Sequence, residues 1–176
     1  MQGKLLVAIF LLLSLSAKAQ TSDRVEVFAG YSHLNYYVYP AYTGPWTELG
    51  YNGLEVSAAY HLVPHLAAEA DFSFENGPGH SIQTYMGGAR VSGGTKKASL
   101  FGHVLFGGLR EPYTGAANTT FAAAFGGGFD YWIGRRVGVR FIQADYLRTS
   151  TNLGSYFAIH SNHANFRIST GVILRF

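Results

Sequence analysis

The last twelve residues alternate strictly. Phe166, Ile168, Thr170, Val172, Leu174 and Phe176 fall on one face, and Asn165, Arg167, Ser169, Gly171, Ile173 and Arg175 on the other. A period of two over such a length predicts a strand with different surroundings on its two sides. The rhythm recurs upstream. Val25, Val27, Ala29 and Tyr31 oppose Glu26, Phe28, Gly30 and Ser32. Leu54, Val56, Ala58, Tyr60 and Leu62 oppose Glu55, Ser57, Ala59 and His61. Leu66, Ala68, Ala70, Phe72 and Phe74 oppose Ala67, Glu69, Asp71, Ser73 and Glu75. Tyr85, Gly87, Ala89 and Val91 oppose Met86, Gly88, Arg90 and Ser92. Phe121, Phe125, Phe129 and Tyr131 oppose Ala122, Ala124, Gly126, Gly128 and Asp130. Residues 99–109 have strand composition but alternate poorly. In 137–149, Arg140 is out of phase with Gln143 and Asp145, and a β-bulge near Phe141 would bring all three to one face.

Eight strands result, mostly ten to thirteen residues long. Globular strands average about 5–6, whereas a tilted strand crossing a bilayer needs about 9–11. The connections at 63–65, 93–97 and 134–136 are short; those at 37–51, 76–80, 111–118 and 150–162 are longer. Short turns at one end and longer loops at the other predict an all-β, eight-stranded antiparallel up-and-down barrel of the outer-membrane type. An even strand number puts both termini at the short-turn end, which is periplasmic in such barrels.

Composition decides which face is outside. Charged residues make up 13% of the 176, roughly half the ~25% of a soluble chain, while 48% are hydrophobic. The polar face is rich in Gly, Ala and Ser, which fit the narrow interior of eight strands. The other face carries Phe, Leu, Val and Tyr. In water it would be a very large exposed patch; in lipid it needs no cover, and a closed barrel leaves no unpaired edge. A soluble ligand-binding barrel would show the reverse. Tyr31, Phe74, Tyr131, Trp132, Tyr146, Phe166 and Phe176 are candidates for interfacial girdles.

Residues 1–19 read as a signal peptide and 20–176 as the barrel domain. Lys4 precedes an apolar run at 5–13, and Ala17-Lys18-Ala19 supplies a cleavage site before Gln20. Lys4 and Lys18 leave with the signal, so 13 Lys and Arg against 10 Asp and Glu becomes 11 against 10. That balance does not suggest a nucleic-acid partner. The absence of Cys excludes a disulfide scaffold and a lipobox anchor.

The chain resembles the OmpA/OmpX-like superfamily of small outer-membrane barrels, the outer membrane protein beta-barrel family. The resemblance rests on residues 101–110, 121–130 and 140–149, and on 165–176, which end in Phe176. It implies that Phe176 is read as an assembly signal by the barrel-assembly machinery, after passage through the secretion machinery. It implies outer-membrane lipids as surroundings and no cofactor. The periplasmic peptidoglycan-binding domain of OmpA has no counterpart within these residues, so wall tethering is not implied.

The inward charges are the first candidate site. Glu26, Glu55, Glu69, Asp71 and Asp130 face Arg90, Arg140, Arg167 and Arg175, and the bulge adds Asp145. Before Asp145 is counted, five against four is close to balance, which favours mutual pairing and a plugged lumen over an ion-selective pore. Glu69 and Asp71, two apart on one face, would suit a carboxylate pair, but nothing else supports catalysis. His103 is expected to point inward as a hydrogen-bonding residue, with His33 and His61 near the rims. His160 and His163 sit in a loop rather than at helical zinc spacing. Some eight-stranded barrels modify lipid A with Ser, His and an acid. Ser32-His33 and His160-Ser161 are adjacent, however, and adjacent strand residues face opposite ways. Gly126-Gly127-Gly128 is mid-strand, not a phosphate loop.

Tyr36, Tyr37, Tyr39, Tyr42, Trp46 and Tyr51 crowd the first long connection. Tyr and Trp are the residues of recognition loops, and also of membrane rims. Three readings follow: a plugged structural or interaction protein working through its external loops, with an extracellular ligand as partner; a small channel; and a lipid-modifying enzyme.

Overall fold

The computed structural model describes residues 24–38, 47–78, 80–113, 116–150 and 164–176. They form eight strands: β1 (Val25–Val38), β2 (Thr47–Val63), β3 (Leu66–Asn76), β4 (Ser81–Gly94), β5 (Ala98–Tyr113), β6 (Ala116–Trp132), β7 (Val137–Ser150) and β8 (Ala164–Arg175). Each pairs antiparallel with its sequence neighbours, and β8 returns to β1 to close the barrel. Closure satisfies every strand edge, the condition for crossing hydrocarbon with strands. The two ends of the described chain meet at the closure: Val25 N–H donates to Phe176 O at 3.1 Å and Phe176 N–H to Val25 O at 2.8 Å. The turns at 64–65, 95–97 and 133–136 lie at this same end.

The expected strands all form, including the bulge. Phe129 pairs with Ile142 and Asp130 with Arg140, so Phe141 is the extra residue. Phe141 and Ile142 both point outward, and Arg140, Gln143 and Asp145 all point inward. Residues 99–109 alternate after all. Phe101, His103, Leu105 and Leu109 are inside, whereas Leu100, Val104 and Phe106 are outside. Apolar residues on both faces hid the period from hydropathy.

Two connections are shorter than expected. Strand pairing continues to Val38 and Thr47, so the 37–51 segment narrows to residues 39–46. It also continues through Glu111–Asn118 to Tyr113 and Ala116, which reduces that loop to residues 114–115. Tyr36 and Tyr51 are therefore not loop residues. They lie in β1 and β2 with buried side chains, their rings 6.1 Å apart edge to face. Tyr37 is in β1, while Tyr39, Tyr42 and Trp46 lie outside the described residues, as do 1–23 and the His160–His163 pair.

The first correction has a physical cause: polarity inverts along the barrel axis. Towards the turn end, large apolar side chains point out, among them Leu54, Val56, Phe72, Phe106, Phe125 and Ile168. Towards the loop end the inside becomes apolar, with Leu34, Tyr36, Tyr51, Ile82, Leu109 and Leu147 in one cluster. The outward positions there are Asn35, Glu48, Asn52, Gln83, Arg110 and Arg148. The lower part is built for lipid and the upper part for water.

Trp132 also differs from expectation. It is 3% exposed, and Arg175 lies over its ring at 3.7 Å, so it packs inside rather than in a lipid girdle. Tyr31, Phe74, Tyr131, Tyr146, Phe166 and Phe176 do face outward.

Candidate functional site

The period-two pattern aims one residue of every pair at the axis, and eight strands leave room only for side chains. The interior that results has three tiers.

At the turn end, Arg175 donates to Glu26 at 2.6 Å and 3.1 Å. Glu26 is also approached by His61 at 3.3 Å and by Arg90 at 3.4 Å. Arg90 also donates to Asp130 at 2.8 Å, and Arg140 grips Asp130 through two nitrogens at 2.8 and 3.2 Å. The Phe101 ring lies against both guanidiniums, 4.0 Å from Arg90 and 4.2 Å from Arg140. These stacked cations are desolvated without losing their carboxylates.

In the middle, Arg167 donates to Asp145 at 2.7 and 3.0 Å and to Asp71 at 2.9 Å, with Glu55 at 3.4 Å. His103 bridges Glu69 and Asp145, each at 2.9 Å. Gln143 ties the tiers together: it accepts from Arg140 at 2.6 Å and donates to Glu55 and Asp145, both at 2.8 Å. Ser169 donates to Glu55. Above this, Ser32 donates to Glu75 at 2.8 Å, and Ser73 contacts Thr84 at 2.6 Å. The apolar cluster around Tyr51 and Leu109 forms the third tier.

All ten charges expected in the lumen are there, nine fully buried and Arg175 partly so. The near-balance expected of them does not hold. Among the described residues, Glu75 and Asp145 bring the buried carboxylates to seven, against four guanidiniums and His103, and the half-buried Glu111 beside Tyr36 adds another. Glu75 lay on the polar face of its strand in the sequence, but no neighbouring cation marked it. Gln143, the link between tiers, carries no charge and gave no signal beyond its phase. The excess is uneven. Arg90, Arg140 and Arg175 outnumber Glu26 and Asp130 at the turn end, while in the middle Glu55, Asp71 and Asp145 share one guanidinium, Arg167.

No arrangement for nucleophilic catalysis forms from the described candidates. Ser32 points inward to Glu75, and His33 points outward to Asn52 and Asn35 at 2.7 and 2.8 Å. Glu69 is held by His103 and Asp71 by Arg167. Among the described residues no group of three metal-ligating side chains could hold an ion.

No known family model matches the sequence, and no curated protein matches it. Solved structures do. Neisserial surface protein A, NspA, superposes with a TM-score of 0.66 at 13% identity, covering 86% of this chain and 97% of NspA. This is the fold of the small OmpA/OmpX-like outer-membrane barrels. Ail, the attachment invasion locus protein of Yersinia pestis, matches with a TM-score of 0.55 at 13% identity, over 89% of this chain and all (100%) of Ail. Ail has also been solved with the heparin analogue sucrose octasulfate. The N-terminal barrel domain of Pseudomonas aeruginosa OprF matches with a TM-score of 0.53 at 11% identity, over 89% of this chain and 100% of that domain.

Proposed function

We propose that this chain is an integral outer-membrane protein with a closed lumen, acting as a structural or interaction protein through its loop end. One observation carries the closed lumen. Arg167, fully buried, joins β8 to Asp71 on β3 and Asp145 on β7, so its side chain lies across the water path. The apolar tier above it adds a second obstruction. The apolar exterior and the fold of NspA, Ail and OprF support the membrane reading. In this reading residues 1–19 are a removed signal, both termini and the short turns are periplasmic, and Phe176 is the assembly signal. The chain is not an enzyme. Its partners are outer-membrane lipids, the secretion and assembly machineries, and an extracellular ligand met by the loop end. The structure of Ail in complex with a heparin analogue supports the reading of an extracellular ligand. Of the aromatic set proposed for contact, Tyr37, Tyr39, Tyr42 and Trp46 remain; Tyr36 and Tyr51 brace the wall beneath.

Planar-bilayer conductance of the refolded protein tests this reading. A silent wild type beside leaking Arg140→Ala and Arg167→Ala variants is the expected result. Steady wild-type current would overturn the closed lumen. A cation channel is the second reading, favoured by the excess of carboxylates over guanidiniums, and it predicts that current with cation selectivity.

A further inference from the structure

The turn end of the barrel holds a cavity of about 490 Å³ that the charge network closes from above. Its charged lining is unlike the rest of the lumen. Arg24, Arg90, Arg175, His61 and His65 surround a single carboxylate, Glu26. Ser92, Ser99 and Thr95 add hydroxyls. Asp130, one layer deeper, is shared by Arg90 and Arg140. Arg90 is 2% exposed; its Nη2 serves Asp130 and Glu26, while its buried Nε has no hydrogen-bond partner among the described residues. The indole N–H of Trp132, beneath Arg175, has none either. Buried donors of this kind are costly to leave unmade. The neighbouring turns carry Lys96, Lys97, Arg135 and Arg136, and among the described turn residues there is no carboxylate. A cationic rim over a low-dielectric cup concentrates anions.

We propose that this turn-end vestibule binds a small solute through a phosphate-type oxyanion, held by Arg24, Arg90 and Arg175. Planar guanidinium forks suit an oxyanion better than a halide, because they donate in parallel to two oxygens. The volume exceeds what a bare ion needs and falls in the range of small-molecule sites, about 300–1,000 Å³. The rest of the ligand would meet the hydroxyls of Ser92, Ser99 and Thr95 and the apolar wall of Leu62 and Val63. The site stands whether or not the lumen conducts, since it needs only the mouth of the barrel.

The test uses the full mature chain refolded in zwitterionic micelles, titrated calorimetrically with inorganic phosphate and with glycerol 3-phosphate. Saturable binding at one site is expected, weakened about tenfold or more in Arg90→Gln, since one charge-assisted hydrogen bond is lost. Arg90 also supports the fold, so an Arg24→Gln/His65→Gln double variant at the mouth provides the second arm. Heat-modifiable migration checks that each variant is folded. No saturable binding by the wild type overturns the proposal. So does binding that survives in the folded double variant and disappears when Lys96, Lys97, Arg135 and Arg136 are replaced by Gln. Repeating the titration in phosphatidylcholine and phosphatidylglycerol nanodiscs identifies the source of the oxyanion. Competition by phosphatidylglycerol upholds the site with a lipid headgroup as occupant, and unchanged binding upholds it with a free solute.

Discussion

Arg167 on β8 and Asp71 on β3 meet at 2.9 Å, 96 residues apart in the chain and both fully buried. Neither strand pairs with the other; β8 lies between β7 and β1, and β3 between β2 and β4. The contact spans the lumen, and it exists only because the sheet closes. Arg167→Ala leaves Asp71, Asp145 and Glu55 buried without their shared cation. Such an uncompensated loss costs about 3–5 kcal/mol. Equilibrium urea unfolding in lipid vesicles should show a loss of that size. A change below about 1 kcal/mol, the level of a surface pair, would mean that the network is not a stabilising element.

The inversion of polarity places the lipid boundary. Lys at Val56, an outward position in the lower part, is expected to destabilise by about 2–4 kcal/mol, the cost at a bilayer midplane. Lys at Asn52, four residues nearer the loop end on the same face, is expected to cost about 0–1 kcal/mol. Vesicle unfolding of the two variants gives the comparison directly. Equal costs would show that the wet and lipid-facing zones have been misplaced.

Gly53 allows β2 and β3 to approach closely. A Cβ there would fall on the carbonyl oxygen of Phe74, and backbone cannot move aside as a side-chain tip can. Gly53→Ala should lower the folded fraction seen by heat-modifiable migration. Gly93→Ala is the control, because a Cβ at Gly93 meets nothing within 4 Å. If both variants fold alike, close approach at Gly53 is not what its lack of a side chain serves.

Phe176 contributes two backbone hydrogen bonds at the β1–β8 seam and an outward ring. If it is also an assembly signal, its deletion should reduce the folded barrel in the outer membrane of cells far more than the yield of refolding in detergent. Equal losses in both settings would leave Phe176 with a structural role alone.

Much of the fold was legible in the chain because alternation is local. Each residue's side of the sheet follows from its neighbours, so Arg167 could be placed inside and Ile168 outside without any knowledge of β3. The bulge was legible for the same reason: the phase of Arg140 conflicts with that of Gln143 and Asp145. Local pattern fails where both faces share one character or where the surroundings change. Residues 99–109 carry Phe101 and Leu105 inside and Leu100 and Phe106 outside, so hydropathy shows no period. Tyr36 and Tyr51 read as loop aromatics because the strands there leave lipid and their polarity reverses.

The sequence by itself determined eight strands, most of the outward-facing set and ten of the inward charges. Tertiary structure decided which charges meet. Gln143 reaches Glu55 across 88 positions and Ser169 reaches Glu55 across 114. Pairing energies fall off within a few ångströms, so they depend on distances that only closure of the barrel sets. Closure likewise gathered Arg24, Arg90 and Arg175 around one mouth, where linear charge counting saw only a near-neutral chain.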